Sequence, residues 1–139
     1  MNLSERHRDR VTELLAVRDP QERLAFLVQR GRERDGLTSE ERTEDRLMPG
    51  CLSKLWFVPS VVKGQCSFRC DSDSAIVKGI ATLLCDFFSQ CTPTEILCYE
   101  GDFLAEAGVN QHLTPNRRNG LGKLRSRIRE FASACSIAK

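Results

Sequence analysis

Apolar residues along this chain recur with two different periods, and the change of period marks the elements. From Ser4 to about Val17, Val11, Leu14 and Leu15 fall on one side while Arg6, Arg8, Arg10 and Glu13 occupy the rest, which predicts an amphipathic helix capped by Ser4 with its charges toward water. Asp19-Pro20-Gln21-Glu22 then places a cap, a proline at the first helical position and an acid at the third. A second helix follows, with Leu24, Leu27 and Val28 inward, ending before Gly36. Residues 32–46 are densely charged and offer only Leu37 as a large apolar anchor, so they suit a solvated connection or a short frayed helix.

The period then shortens to two. Leu55-Trp56-Phe57-Val58 and Val61-Val62 are rich in β-branched and aromatic residues, Lys63-Gly64 supplies a turn, and Cys66, Phe68 and Cys70 alternate with Gln65, Ser67 and Arg69. Two antiparallel strands are predicted, with Pro59 at an edge or bulge because it has no N–H for the ladder. The cap formers Asp71, Ser72, Asp73 and Ser74 lead into residues 75–89, where Ile76, Val77, Ile80, Leu83, Leu84, Phe87 and Phe88 cover a wide helical arc, and this is the expected central buried helix. Cys85 joins its apolar surface. Thr92-Pro93-Thr94-Glu95 opens a short helix, Phe103 and Leu104 mark another, and Thr114-Pro115 opens the last. In that last helix Leu121, Leu124, Ile128, Phe131 and Cys135 form the inward stripe, and Arg117, Arg118, Lys123, Arg125, Arg127 and Arg129 are distributed around the remainder.

A length of 139 residues suits a single domain, 1–139. Twenty-one Lys and Arg against nineteen Asp and Glu leave +2, too near neutral to predict nucleic-acid binding from global charge. The charged amino terminus lacks the apolar core of a secretory signal and no segment reaches the length of a membrane span, so the reading is cytoplasmic, with no membrane partner. Seven cysteines are an odd number without a disulfide framework's spacing, and a reducing cytosol would keep them as thiols.

Candidate chemistry is sparse. Only His7 and His112 exist, so a Cys-His-Asp set would have to use His112, which reads more readily as a locally bonded loop histidine. No Cys-x-x-Cys, His-x-x-x-His or calcium-type loop occurs, and Cys66 and Cys70 on one strand lie about 13 Å apart, too far to share a metal or a disulfide. Gly120-Leu121-Gly122 lacks the strand that a phosphate loop requires. Cys51 differs by its surroundings: Pro49 and Gly50 present it at a bend, while Leu47, Met48, Leu52 and Leu55 offer an apolar recess. Cys66, Cys70, Cys85 and Cys135 fit apolar faces, and Cys91 and Cys98 sit at helix boundaries where partial exposure is expected. Spacing alone leaves Cys51 open between a structural and a reactive thiol; a reactive one needs nearby positive charge or backbone N–H groups, for which Lys54, Arg46 or a more distant arginine are the candidates.

Three stretches carry a family resemblance. Residues 42–56, Arg42-Thr43-Glu44-Asp45-Arg46-Leu47-Met48-Pro49-Gly50-Cys51-Leu52-Ser53-Lys54-Leu55-Trp56, resemble the active-loop motif of the SufE/CsdE family, sulfur acceptors for cysteine desulfurases. Residues 71–79, Asp71 through Gly79, are similar to its cap and central helix, and residues 113–121, Leu113 through Leu121, to its third signature, in the same order. The resemblance implies an α+β fold, SufE/IscU-like, with a small antiparallel sheet of about three strands packed against helices. It implies a sulfur carrier and desulfurase activator rather than an enzyme, with Cys51 as persulfide acceptor and Leu47, Met48, Gly50, Leu52 and Trp56 as its loop and pocket. Partners would be a SufS/CsdA-like cysteine desulfurase, which holds the PLP, and a SufBCD-like Fe-S scaffold complex; no cofactor or metal of the chain's own is implied. Arg117 and Arg118 match a basic pair that the family suggests for docking, and Asp73 a position near the loop, where the residues themselves read it as a helix cap. Six further cysteines leave open a second relay through Cys91 or Cys98. The rival readings are a thiol redox protein pairing Cys51 with a resolving cysteine, and a nucleic-acid module on the basic last helix, which lacks interleaved aromatics.

Overall fold

The computed structural model describes residues 2–50 and 53–137. Its first helix, α1, spans Leu3–Ala16 and is capped by Asn2, whose side chain accepts from the Glu5 N–H at 2.9 Å; the expected cap, Ser4, is already inside the helix. Leu3 and Leu14 are buried on α1, whereas Leu15, expected inward, is 47% exposed because it lies one residue, and so about 100° of helix, beyond Leu14. Helix α2, Pro20–Arg32, starts as the sequence indicates, with Asp19 accepting from Gln21 N–H and Pro20 in the first turn. Leu27 is buried and Leu24 packs against the core.

Strands β1, Leu55–Val62, and β2, Gln65–Ser72, form an antiparallel hairpin in the register Leu55 to Ser72 through Val62 to Gln65. Lys63 and Gly64 both take positive φ, 54° and 78°, which matches the twist that a two-residue hairpin turn needs. Pro59 stands opposite Phe68, whose N–H turns away from β1 and donates to Ser89 Oγ, so Pro59 occupies a pair that needs no cross-strand N–H. The fold is α+β with a small antiparallel sheet, as the resemblance implies, but among the described residues the sheet has two strands rather than about three. Single bridges stand at the outer edges instead, Leu47 with Trp56 and Cys66 with Cys91. Neither neighbour continues, because one segment turns at Pro49 and Gly50 and the other enters a helix at Pro93.

Helix α3, Ala75–Phe88, is the central element: Ser74 caps it, and ten of its residues are buried. It crosses α2 with backbones in contact, since a Cβ on Gly31 would stand 2.7 Å from Gly79 Cα. Helix α4, Pro93–Cys98, carries a complete capping box between Thr92 and Glu95; α5 is Phe103–Glu106, and α6, Pro115–Ile137, follows a short 3-10 turn at Val109–His112. Phe57 stacks on Phe68 at 5.7 Å and Phe131 of α6 meets Phe68 edge-on, while Phe87, Phe88, Tyr99 and Phe103 form a second aromatic group at the other end of the core.

Several arginines are structural, among them Arg6, which the helical pattern places toward water. Arg6 donates to the carbonyls of Phe87 and Ser89, closing the end of α3, and buried Arg23 donates to those of Leu14, Val17 and Ala107. Arg129 likewise donates to the Ile96, Leu97 and Tyr99 carbonyls. Each supplies donors to the orphan carbonyls of a helix end, a need that makes a guanidinium worth bringing close.

Candidate functional site

The approach to the loop is fastened by one buried carboxylate. Asp71, 2% exposed, accepts from Leu37 N–H at 3.0 Å, from Ser72 N–H at 2.9 Å and from Arg42 at 2.6 Å. Burial alone would raise its pKa, but the two backbone N–H groups and Arg42 together hold it below the ordinary carboxylate value. Gly36, at φ +69°, packs directly on this carboxylate. Arg69 forks onto Glu41 and its hydrogen bonds pull that carboxyl down to about 2, while the Arg42 guanidinium lies 5.6 Å from the centre of the Trp56 ring.

Residues 47–54 are tied at both ends. Leu47 bridges Trp56, and Met48, buried, donates its N–H to the Leu55 carbonyl at 2.8 Å. Lys54 N–H donates to Asp73 Oδ1 at 3.0 Å, Asp73 N–H donates back to the Lys54 carbonyl, and Ser72 Oγ also donates to that carbonyl, at 2.6 Å. Asp73 is therefore a loop anchor, and Ser74, not Asp73, caps α3. Between the ties, Pro49 and Gly50 turn, with Gly50 at φ +78°; a Cβ there would fall on Lys123 Nζ of α6. Cys51 and Leu52 lie outside the described residues.

A cavity of about 270 Å³ opens beside Ser53. Leu55, Val77 and Leu121 give it apolar walls, and Thr114, Asn116 and Arg117 bring the first turn of α6 to its rim. The first turn of α3 contributes Val77, so two helix N-termini, each with partial positive charge, border the cavity. Arg117 lines it, whereas Arg118 is exposed and does not. Leu47, Met48 and Trp56 are adjacent through the backbone ties and are not among the lining residues.

Lys123 and Asn116 had no role in the sequence reading of the site. The available signal is helical spacing: Asn116, Gly120 and Lys123 stand at i, i+4 and i+7, and Arg117, Leu121 and Leu124 repeat that step one position on. The other thiols separate clearly. Cys91, expected to be partly exposed, is 1% exposed, because its backbone bridges Cys66 and Arg6 covers its sulfur at 3.1 Å; burial pushes its pKa up. Cys85 is held protonated by the adjoining Cys70 sulfur and by burial. Cys98 is exposed, in a separate recess with His7 and Tyr99, and His112 is exposed at the end of the 3-10 turn. No cysteine among the described residues lines the cavity beside Ser53.

Over residues 8–132 the sequence matches the family model described as SufE, Fe-S metabolism associated domain. A solved structure, the solution structure of a hypothetical protein from Thermus thermophilus, superposes with a TM-score of 0.73 at 16% identity, covering 97% of this chain and 96% of that one. That likeness is one of fold.

Proposed function

Because the chain belongs to the SufE family of Fe-S metabolism associated domains, we propose that it is a sulfur acceptor in which Cys51 takes the outer sulfur of a persulfide from a PLP-dependent cysteine desulfurase. The observation that supports this most directly is the cationic frame around the loop. Lys123 Nζ packs on Gly50, the residue before Cys51, and Arg117 lines the cavity that begins at Ser53. A thiolate is the nucleophile, and ammonium, guanidinium and helix N-termini all favour it over the thiol.

In the proposed step the Cys51 thiolate attacks the outer sulfur of the desulfurase persulfide. A new S–S bond forms at Cys51 as the old one breaks, and the electron pair leaves on the desulfurase cysteine as a thiolate. Sulfur moves without net oxidation or reduction, so no cofactor of the chain's own enters. The walls formed by Leu55, Val77 and Leu121 suit a shelter that keeps cytosolic thiols from the carried sulfur before it passes to an Fe-S scaffold complex. Exposed Arg118 and the Asp73 anchor face the docking desulfurase in this reading, and removal of its persulfide stimulates that enzyme.

The redox alternative needs a second thiol close to Cys51, and the absence of a cysteine from the cavity lining among the described residues gives it less support. The nucleic-acid alternative loses Arg125 to Gly101 and Asp102, and Arg129 to the end of α4. Incubation of the full chain with a cysteine desulfurase and cysteine, followed by peptide mass spectrometry, tests the proposal. Expected are one added sulfur on the Cys51 peptide and faster desulfurase turnover, both lost in Cys51→Ser with the circular dichroism spectrum unchanged. Sulfur on another peptide, or unchanged turnover with the wild-type chain, would overturn it.

A further inference from the structure

A second cavity, of about 190 Å³, lies away from the loop, between α1, α2 and α3. Four arginines converge on it: Arg6 and Arg10 from α1, Arg30 from α2 and Arg34 just past the end of α2. Leu83 and Phe87 of α3 form an apolar floor, and Asp86 stands beside them. The ion pairs do not balance. Glu13 is shared by Arg10 and Arg30, and Asp86 pairs with Arg34 alone, so in the ion pairs of the described residues four arginines meet two carboxylates, with Glu95 acting on Arg6 from beyond ion-pair distance. Glu33 lines the adjoining recess with Arg30 but forms no ion pair with a described residue.

The donors are also underused. Each of the four guanidiniums has three nitrogens, and in each only one is engaged with described residues: Arg6 with the Phe87 and Ser89 carbonyls and Cys91, Arg10 and Arg30 with Glu13, Arg34 with Asp86. Several planar forks with free N–H groups around one partly enclosed space match the oxygens of a tetrahedral dianion.

The geometry points to a phosphate-binding site here, one that takes a phosphate dianion, free or carried on a monoester, between Arg6, Arg10, Arg30 and Arg34. Asp86 then acts as an internal competitor that holds Arg34 when the site is empty. Burial raises the Asp86 pKa while Arg34, Arg30 and Arg10 pull it down, as expected of a carboxylate kept half-buried by the surrounding charge. The inference is independent of the sulfur chemistry at Cys51.

Isothermal titration calorimetry of the full chain tests it, with inorganic phosphate in one arm and phenyl phosphate in the other, at neutral pH and ionic strength held constant with sodium chloride. Saturable binding is expected, weakened about tenfold or more in Arg10→Gln and Arg34→Gln. Asp86→Asn gives the discriminating sign: it removes an ion pair, yet it frees Arg34 and takes away a carboxylate charge, so phosphate should bind it severalfold more tightly. A purely structural arginine network would show no such gain. Binding of both probes supports a site for the phosphate group itself, and phenyl phosphate alone supports one for monoesters. No saturable binding of either probe, or equal affinity in wild type, Arg34→Gln and Asp86→Asn, would overturn the proposal.

Discussion

Replacing Asp71 by asparagine is expected to lower folding stability by about 2 kcal/mol at neutral pH, and that difference should fade in acid. The wild-type carboxylate accepts from Leu37 N–H and Arg42 on one oxygen and from Ser72 N–H on the other, with Lys78 Nζ a further 3.9 Å away. Asparagine has one oxygen, so in either orientation its NH₂ faces a donor. Keeping the oxygen toward buried Leu37 N–H loses the Ser72 bond and sets the NH₂ toward Lys78; the reverse leaves Leu37 unsatisfied. Hydrogen bonds to a charged group are worth about 1.5–3 kcal/mol, and the half-exposed Arg42 can recover water, which keeps the total near the lower part of that range. Because the folded pKa of Asp71 is depressed, its contribution is complete above the unfolded value of about 3.9 and is lost as the pH falls through the folded value. Urea unfolding of both proteins, followed by circular dichroism from neutral pH downward, isolates this residue, since the other carboxylates titrate alike in the two chains. A difference smaller than about 0.5 kcal/mol at neutral pH, or one that stays constant into acid, would refute the reasoning.

Other substitutions have distinct readouts. Gly50→Ala places an L-residue at φ +78° and pushes Lys123 off the loop; stability should fall by about 1 kcal/mol by urea titration, with slower sulfur uptake in single-turnover transfer. Lys123→Gln should move the pH midpoint for iodoacetamide alkylation of the Cys51 peptide upward, while Lys123→Arg largely preserves it; an unmoved midpoint in Lys123→Gln would remove the ammonium from the argument. Arg23→Met leaves the Val17 and Ala107 carbonyls without their donor, the Leu14 carbonyl keeping the Val17 N–H, and should lower the melting temperature by on the order of 10 °C, and a drop below about 2 °C would show those carbonyls to be satisfied by water.

What was legible in the sequence is what local chemistry decides. Asp19-Pro20 and Thr92-Pro93-Thr94-Glu95 specify helix starts within four residues, and Lys63-Gly64 between alternating runs specifies a hairpin, so these elements appear where the pattern put them. Arg6, Arg23 and Arg129 escaped because a charged residue on a polar helix face looks solvated until its partners are known. Arg6 reaches carbonyls more than eighty residues away, and the orphan carbonyls at a helix end carry no sequence mark of their own. Asp71 escaped for a related reason. It stands in a run of cap formers, yet burial between Leu37 and Arg42 made it an anchor, leaving Ser74 to cap the helix. The cysteine loop was identified through the family motif, whereas Lys123, seventy-three positions beyond Gly50, belongs to the site only through the packing of α6.

The ties around the loop also limit what Cys51 can be asked to do. Met48 is fastened to Leu55, and Lys54 to Asp73 and Ser72, so the seven residues from 48 to 54 start and finish on fixed points of the β1 and β2 ends. A rearrangement that breaks neither tie is confined to residues 49–53, a stretch that spans no more than about 18 Å fully extended. On the proposed function, docking of a donor therefore needs neither a broken tie nor a change in the hairpin or α3. Loosening the tie at its second end, with Asp73→Ala, removes the acceptor of the Lys54 N–H while the residue 73 N–H and Ser72 Oγ still hold the Lys54 carbonyl, and on the proposed function it should weaken protection of a carried sulfur against small thiols while leaving the core intact. The measurement is the half-life of the Cys51 persulfide in glutathione, and an unchanged half-life together with demonstrated loss of the Lys54 N–H protection in hydrogen exchange would show that the tie has no part in sheltering the sulfur.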